Sequence, residues 1–193
     1  QDIASLGAED APLDLVLAID VSGSMEHALD DVKIAVKQLL SKLRPGDAEH
    51  QMDVLRHFRH AQTFRLLAQD LSGRLSVERL ADHLSALADI VLEGAMSACW
   101  THMSGSDAAP PRFAIVGYGK LGGKELDYAS DLDLVFLLEA DGTTAHSRRG
   151  KSHQATSNQH FFSELGQRII TVANRLGPYG RLYEIDARLR PTG

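Results

Sequence analysis

The sequence predicts an α+β fold, because long helical patterns are followed by short strands around a glycine-rich loop. Apolar residues recur at helical spacing over about residues 50–70, and again from Leu80 to about Trp100. Short apolar runs at residues 112–116 and 132–138 predict strands. These elements place the glycine-rich loop between two neighbouring strands, after a helical segment.

The elements on either side of these complete the predicted order. An apolar run at residues 13–19 predicts a buried strand, and helical spacing over about 26–43 predicts a helix that ends at Arg44-Pro-Gly-Asp47. Ser76 is the predicted N-cap of the second long helix. The polar residues 140–156 predict a mobile loop. A further helix is predicted over about 161–176, and a last strand over 182–185, next to Asp186.

Composition is that of an ordinary soluble protein of 193 residues, with 44% hydrophobic and 24% charged residues. The net charge of −6 argues against nucleic acid or an anionic membrane as a partner. No apolar run approaches the ~20 residues that span a bilayer, and the N-terminus lacks the pattern of a secretion signal. The only cysteine, Cys99, is expected to be a buried, reduced thiol, which fits a cytoplasmic location.

The most informative motif is a glycine-rich loop followed by an Asp-x-Asp pair. The loop covers Gly117-Tyr-Gly-Lys-Leu-Gly-Gly-Lys124, and the pair is Asp131 and Asp133. Backbone N–H groups of such a loop can cradle phosphates, and carboxylate oxygens are ligands that suit Mg²⁺. Because the two aspartates are two residues apart on a predicted strand, they share one face. The motif therefore predicts nucleotide chemistry.

The motif has two other interpretations. Gly117-x-Gly119-x-x-Gly122 also matches the dinucleotide-binding fingerprint, but that fold needs a crossover helix, and too few residues separate the two strands. A tight connection between neighbouring strands fits better. The other alternative is an ordinary glycine turn with surface carboxylates.

A two-metal nucleotidyl transfer site needs a third carboxylate, for which Asp186 is the candidate. Arg188 and Arg190 follow it and can bind phosphate or pair with the acids. The alternative for Asp186 is a strand-end salt bridge with these arginines.

Several motifs resemble the bifunctional glutamine synthetase adenylyltransferase/adenylyl-removing enzyme family, over about residues 49–193. They are the glycine loop, Ser130-Asp-Leu-Asp-Leu-Val-Phe136, Gly166-Gln-Arg-Ile-Ile170 and Leu182-Tyr-Glu-Ile-Asp-Ala-Arg-Leu-Arg-Pro191. The upstream segment His50–Gln62 resembles the lead-in to the family's C-terminal, adenylylating domain. The resemblance implies a DNA polymerase β-like nucleotidyltransferase core at 112–193, truncated at its C-terminal end, after a helical lead-in at 48–111.

The resemblance also implies the site and the reaction. ATP would be the substrate, Mg²⁺ the cofactor, a tyrosine of glutamine synthetase the acceptor, and a PII-type protein a regulator of full-length members. Asp131, Asp133 and Asp186 would be the catalytic and metal-binding residues. The implied nucleotide-binding residues are Gly119, Lys120, Gly122, Gly123, Lys124, Ser130 and Arg188. One departure is Asp127, an extra acid that would slightly repel a triphosphate.

Residues 11–47 resemble instead the start of a von Willebrand factor A domain. Asp20-x-Ser22-x-Ser24 matches part of that family's metal-binding motif, after a predicted strand. The alternative function is therefore a divalent-metal-dependent protein-binding module, and a third possibility is an inactive chimera. The simplest interpretation of this segment is a βα unit. His57 and His60 share one face of a predicted helix. They could bind a metal, or they could simply be solvated side chains on that face.

Overall fold

The computed structural model describes residues 48–104, 113–138, 141–148 and 151–187. The strand and helix predicted upstream of residue 48, and the proposed metal ligands Asp20, Ser22 and Ser24, lie outside the described residues. So do Arg188 and Arg190. The elements, in chain order, are α1 (Ala48–Leu71), α2 (Val77–Ser104), β1 (Phe113–Gly117), α3 (Gly119–Gly122), β2 (Leu132–Leu138), β3 (Thr143–Arg148), β4 (Lys151–Ser157), α4 (Asn158–Asn174) and β5 (Ile185–Asp186).

The two long lead-in helices form where helical spacing predicts them. Gly73, at φ +68°, makes the turn that follows α1. Ser76 then caps α2, since its Oγ accepts a hydrogen bond from the Arg79 N–H at 3.3 Å, as the sequence predicts. The described helices include none that is long and apolar enough to cross a membrane.

The site is carried by a three-stranded sheet in the order β1-β2-β5. Strands β1 and β2 are antiparallel, from Phe113 opposite Leu138 to Gly117 opposite Leu134. Strand β5 lies parallel to β2 on its other side. This arrangement confirms the α+β class, the strand at 132–138, and the tight connection between neighbouring strands.

Two predictions in the C-terminal half need correction. The mobile loop predicted at 140–156 is wrong where the chain is described, because β3 and β4 pair there as an antiparallel ribbon. Backbone hydrogen bonds form equally well between polar residues. These two strands can therefore pair without the apolar pattern from which strands are predicted. The last strand comprises only Ile185–Asp186, shifted toward the C-terminus from the predicted 182–185.

Two groups of buried side chains hold the elements together. One joins α1 and α2 to α3, β2 and the approach to β5, so the lead-in helices share a core with the sheet. The other is aromatic and includes Phe113, Phe161 and Phe162, with Trp100 packed against it. Cys99 belongs to this second group at 1% exposure, and desolvation raises the pKa of its thiol to about 12. The predicted buried thiol is thus confirmed.

Candidate active site

The glycine loop folds back against the start of β2. β1 ends at Gly117, and the Tyr118 N–H donates to the Asp133 carbonyl at 2.8 Å. The N–H groups of Gly122 and Gly123 donate to the carbonyls of Tyr118 and Gly119, both at 3.0 Å. The two glycine bonds close a single helical turn. The bond from Tyr118 joins this turn to Asp133, one of the candidate carboxylates.

Three glycines of the loop are required by close contacts. A Cβ at Gly117 would lie 2.8 Å from the Leu121 side chain, and one at Gly122 would lie 2.6 Å from the Gly117 carbonyl oxygen. Gly119 has φ +52°, and a Cβ there would collide with Asp133 Oδ2. The G-x-G-x-x-G spacing therefore serves a tight turn that packs on Asp133.

The predicted phosphate-binding residues lie on the surface of this turn. Gly119, Lys120, Gly122, Gly123 and Lys124 are all exposed. The N–H groups of Gly122 and Gly123 are used to close the turn, so what these two residues offer a phosphate is an approach with no side chain in the way. Nucleotide binding by the loop stays a prediction.

The three candidate carboxylates lie at two neighbouring strands: Asp131 directly precedes β2, Asp133 is in β2, and Asp186 is in β5. Asp131 and Asp133 are exposed on either side of the fully buried Leu132, as expected for one face of a strand. Asp186 lies opposite Asp133 in the parallel register of β2 and β5. The Leu132 N–H donates to the Glu184 carbonyl at 2.9 Å and fixes that register. Neighbouring strands are about 4.8 Å apart, so the backbone brings the third acid beside the pair.

The carboxylates fit a hard divalent cation in chemistry, although they do not form a finished cage. Carboxylate oxygens are the preferred donors for Mg²⁺, and Asp131 and Asp133 are open to solvent. Within the described ranges, no three His, Cys, Asp or Glu side chains come together closely enough to hold a metal ion. Metal binding at this site therefore stays a prediction.

Lys120 and Asp127 form an ion pair beside the carboxylates. Lys120 Nζ lies 2.9 Å from Asp127 Oδ2 and 3.4 Å from Ser130 Oγ. Asp127 also accepts the Ala129 N–H at 2.9 Å. The bond from Lys120, then those from Ala129 and Ser130, lower the pKa of Asp127 to about 2. The hydrogen bond to Asp127 in turn raises the pKa of Lys120. The extra acid thus has a cationic partner, which reduces its repulsion of a triphosphate.

One residue near the site was not found from the sequence. The Asn174 side chain, at the end of α4, accepts the Ile185 N–H at 2.8 Å and donates to the Ile185 carbonyl at 3.4 Å. Ile185 directly precedes Asp186. No local pattern marks this asparagine, because its role arises only when the chain returns to the end of α4.

His57 and His60 pack against a turn between α4 and β5. The His57 ring lies 3.7 Å from the Tyr179 ring, centroid to centroid. A Cβ on Gly180 would lie 3.7 Å from His60 Cε1. Burial, then the charges of Arg59 and His57, lower the pKa of His60. Both histidines are nevertheless exposed on the helix face, and no metal-holding group includes them among the described residues.

Comparison with known proteins gives the family. The model of the glutamate-ammonia ligase adenylyltransferase family matches residues 13–193. The chain belongs to this family. The bifunctional glutamine synthetase adenylyltransferase/adenylyl-removing enzyme of Chromobacterium violaceum is 44% identical over 171 residues, 88% of this chain and 18% of that protein.

Two further relatives carry the same name. The protein from Nitrosomonas eutropha is 41% identical over 194 residues, which cover 97% of this chain and 19% of the relative. The one from Neisseria meningitidis serogroup A is 49% identical over 148 residues, which cover 77% of this chain and 15% of the relative. The chain thus spans less than a fifth of the length of these relatives.

The extent of the family match bears on the segment before residue 48. The family match begins at residue 13, so it includes residues 13–47, which the sequence predicted to lie outside the family. The domain boundary at residue 48 stays a prediction, but the match gives no support to a change of family there, as a chimera would require. Neither do the comparisons support a von Willebrand factor A binding module.

Proposed function

We propose that this chain carries a Mg²⁺-dependent nucleotidyltransferase site that transfers AMP from ATP to a tyrosine hydroxyl of glutamine synthetase. The observation that carries the proposal is the pairing of Asp133 with Asp186, with the glycine turn packed on Asp133. Relatives named as glutamine synthetase adenylyltransferases support the acceptor. The proposed location is the cytoplasm, and a PII-type regulator stays a prediction for the longer protein.

The proposed core is of the DNA polymerase β type. Its support is a glycine turn between two antiparallel strands, with an Asp-x-Asp pair at the start of the second. A third acid on a neighbouring parallel strand adds to this support. In such a core the acids of two neighbouring strands lie together at the same end of the sheet.

The proposed reaction forms one bond and breaks one. The tyrosine oxygen attacks the α-phosphorus of ATP, the bond to the β-phosphate oxygen breaks, and pyrophosphate leaves. The phenolic proton passes to a carboxylate oxygen of Asp186, the proposed base. Bound Mg²⁺ would be held by Asp131, Asp133 and Asp186, and would supply positive charge against the triphosphate.

The glycine turn would position the triphosphate. Gly119, Gly122 and Gly123 are all exposed, and Gly119 lies against Asp133. Lys120 and Lys124 add positive charge, and Ser130 adds a hydroxyl next to Lys120. Arg188 is the proposed phosphate ligand from the segment after β5. The positive charges of Lys120, Lys124 and Arg188 would offset the repulsion between the three aspartates and the negatively charged triphosphate.

The test is transfer of label from ATP marked at the α-phosphate to glutamine synthetase, in the presence of Mg²⁺. We expect labelled glutamine synthetase with the native chain, and at least a hundredfold less with Asp131→Asn plus Asp133→Asn, since these groups act in the transition state. Asp82→Asn, at an exposed position on α2, is the matched control and should label normally.

Two results would contradict the proposal. One is the absence of transfer by the native chain, and the other is equal transfer by the double variant. A glutamine synthetase with its acceptor tyrosine changed to phenylalanine should accept no label. Removal of AMP from adenylylated glutamine synthetase, without addition, would assign the chain to the opposite activity in the relatives' name.

A further inference from the structure

The strand that carries Asp186 has very little structure of its own. It comprises two residues, Ile185 and Asp186, and among the described strands it pairs with β2 alone. Two residues give little cooperative hydrogen bonding, and an isolated strand edge leaves backbone groups unpaired. Contacts at the other edge, beside Ile185, therefore help to set the direction of the backbone at Asp186.

The other edge of β5 is held by the Asn174 side chain. The Asn174 amide bonds both backbone groups of Ile185, with N···O distances of 2.8 Å to its N–H and 3.4 Å to its carbonyl. A carboxamide carries one acceptor and one donor in a plane, as a peptide group does. Asn174 thus takes the place of a neighbouring strand.

The helix end that presents Asn174 is itself anchored. Arg56, 3% exposed, donates from Nη2 to the carbonyls of Val172 at 3.2 Å and Arg175 at 3.3 Å. The Ala173 carbonyl accepts the N–H groups of Leu182 at 3.0 Å and Tyr183 at 3.3 Å. The end of α4 that carries Asn174 is therefore held both by α1 and by the segment that leads into β5.

We propose that Asn174 is the positioning residue for the third carboxylate. It holds Ile185 by both backbone groups, so that Asp186 stays opposite Asp133 and the two carboxylates bind one divalent cation. The proposal rests on the function proposed above. Removal of a residue that orients a metal ligand without itself contacting the metal typically lowers metal affinity by 10- to 100-fold.

The test uses the full 193-residue chain and Mn²⁺ alone as the probe, with free Mn²⁺ measured by electron paramagnetic resonance. We expect Asn174→Leu, which removes both hydrogen bonds at similar size, to weaken Mn²⁺ binding about tenfold. Asn174→Ala should do the same. Gln167→Leu removes an exposed amide from the same helix and should leave the affinity unchanged.

Amide hydrogen exchange gives a second readout that does not depend on metal. In Asn174→Leu the Ile185 N–H should exchange faster, while the Leu132 N–H, bonded to Glu184, stays protected. Thermal melts identify any variant that fails to fold, and a folded Asn174→Ala then decides.

The outcomes separate this proposal from the one on which it rests. If native Mn²⁺ binding is lost in Asp186→Asn but unchanged in folded Asn174 variants, the positioning role is overturned and the site stands. If the native chain binds no Mn²⁺, or binds it equally with Asp131→Asn plus Asp133→Asn, both are overturned. Slow exchange of Ile185 in Asn174→Leu would also overturn the positioning role.

Discussion

Asp133 and Asp186 are register partners on adjacent parallel strands. Asp133 follows the glycine turn, whose Gly119 packs directly on its carboxylate. Asp186 arrives from the far end of the chain, after α4 and a turn. The glycine turn, the Asp-x-Asp pair and the third acid therefore meet at one end of these two strands. Variants of these residues and of the residues that support them can test the site.

Gly119→Ala should damage both the fold and the carboxylate beside it. Its φ of +52° costs a residue with a Cβ about 1 kcal/mol, and the Cβ would also push against Asp133 Oδ2. We expect a modest loss of stability and loss of Mn²⁺ binding. Gly73→Ala is the matched control, because Gly73 has φ +68° with nothing within 4 Å of its Cβ. Equal metal binding by both variants would show that the Asp133 contact has no effect.

Arg56→Met should lower the free energy of unfolding by about 2–4 kcal/mol. The buried guanidinium donates to Asp53 at 2.7 Å and to two carbonyls at the end of α4, and methionine keeps only the apolar stem. Urea unfolding measures the change. Arg175→Met removes an exposed pair with Glu49, and should change stability by less than about 1 kcal/mol. Similar losses for both would contradict a special role for Arg56.

The ion pair of Lys120 with Asp127 should depend on acid pH. The pKa of Asp127 is about 2 in the folded chain against an ordinary 3.8, so the pair stabilises the fold above about pH 3.8 and is lost as pH falls toward 2. Carboxyl chemical shifts measured by NMR should give an Asp127 midpoint near 2. In Lys120→Gln that midpoint should rise toward 3.8, because the largest cause of the shift is removed. An unchanged midpoint would rule out the pair in solution.

Cys99 should be inert in the folded chain. Its thiol is 1% exposed, and desolvation raises its pKa to about 12, so hardly any thiolate exists at pH 8. Since it is the only cysteine in the sequence, a colour-forming disulfide reagent reports on this site alone. We expect no reaction in buffer and one equivalent in guanidinium chloride. Rapid reaction under native conditions would contradict the buried position.

The sequence predicted best what depends on neighbouring residues. The strand at 132–138 follows from its apolar run, and the N-cap at Ser76 from a hydroxyl before a helical pattern. The polar ribbon of β3 and β4 was missed, because backbone pairing between polar segments leaves no apolar periodicity. Asn174 was missed because its partner lies on another element.

The sequence by itself determined the chemistry of the candidate site and the turn that presents part of it. Glycines at 117, 119 and 122 and carboxylates at 131 and 133 lie within one short segment, so local sterics and the two-residue period of a strand suffice to relate them. Only the tertiary structure decided that Asp186 lies beside Asp133. That placement depends on α1, α4 and the Asn174 amide, whose contacts join residues far apart in the chain. Such contacts form only when the whole core packs, and no local pattern encodes them.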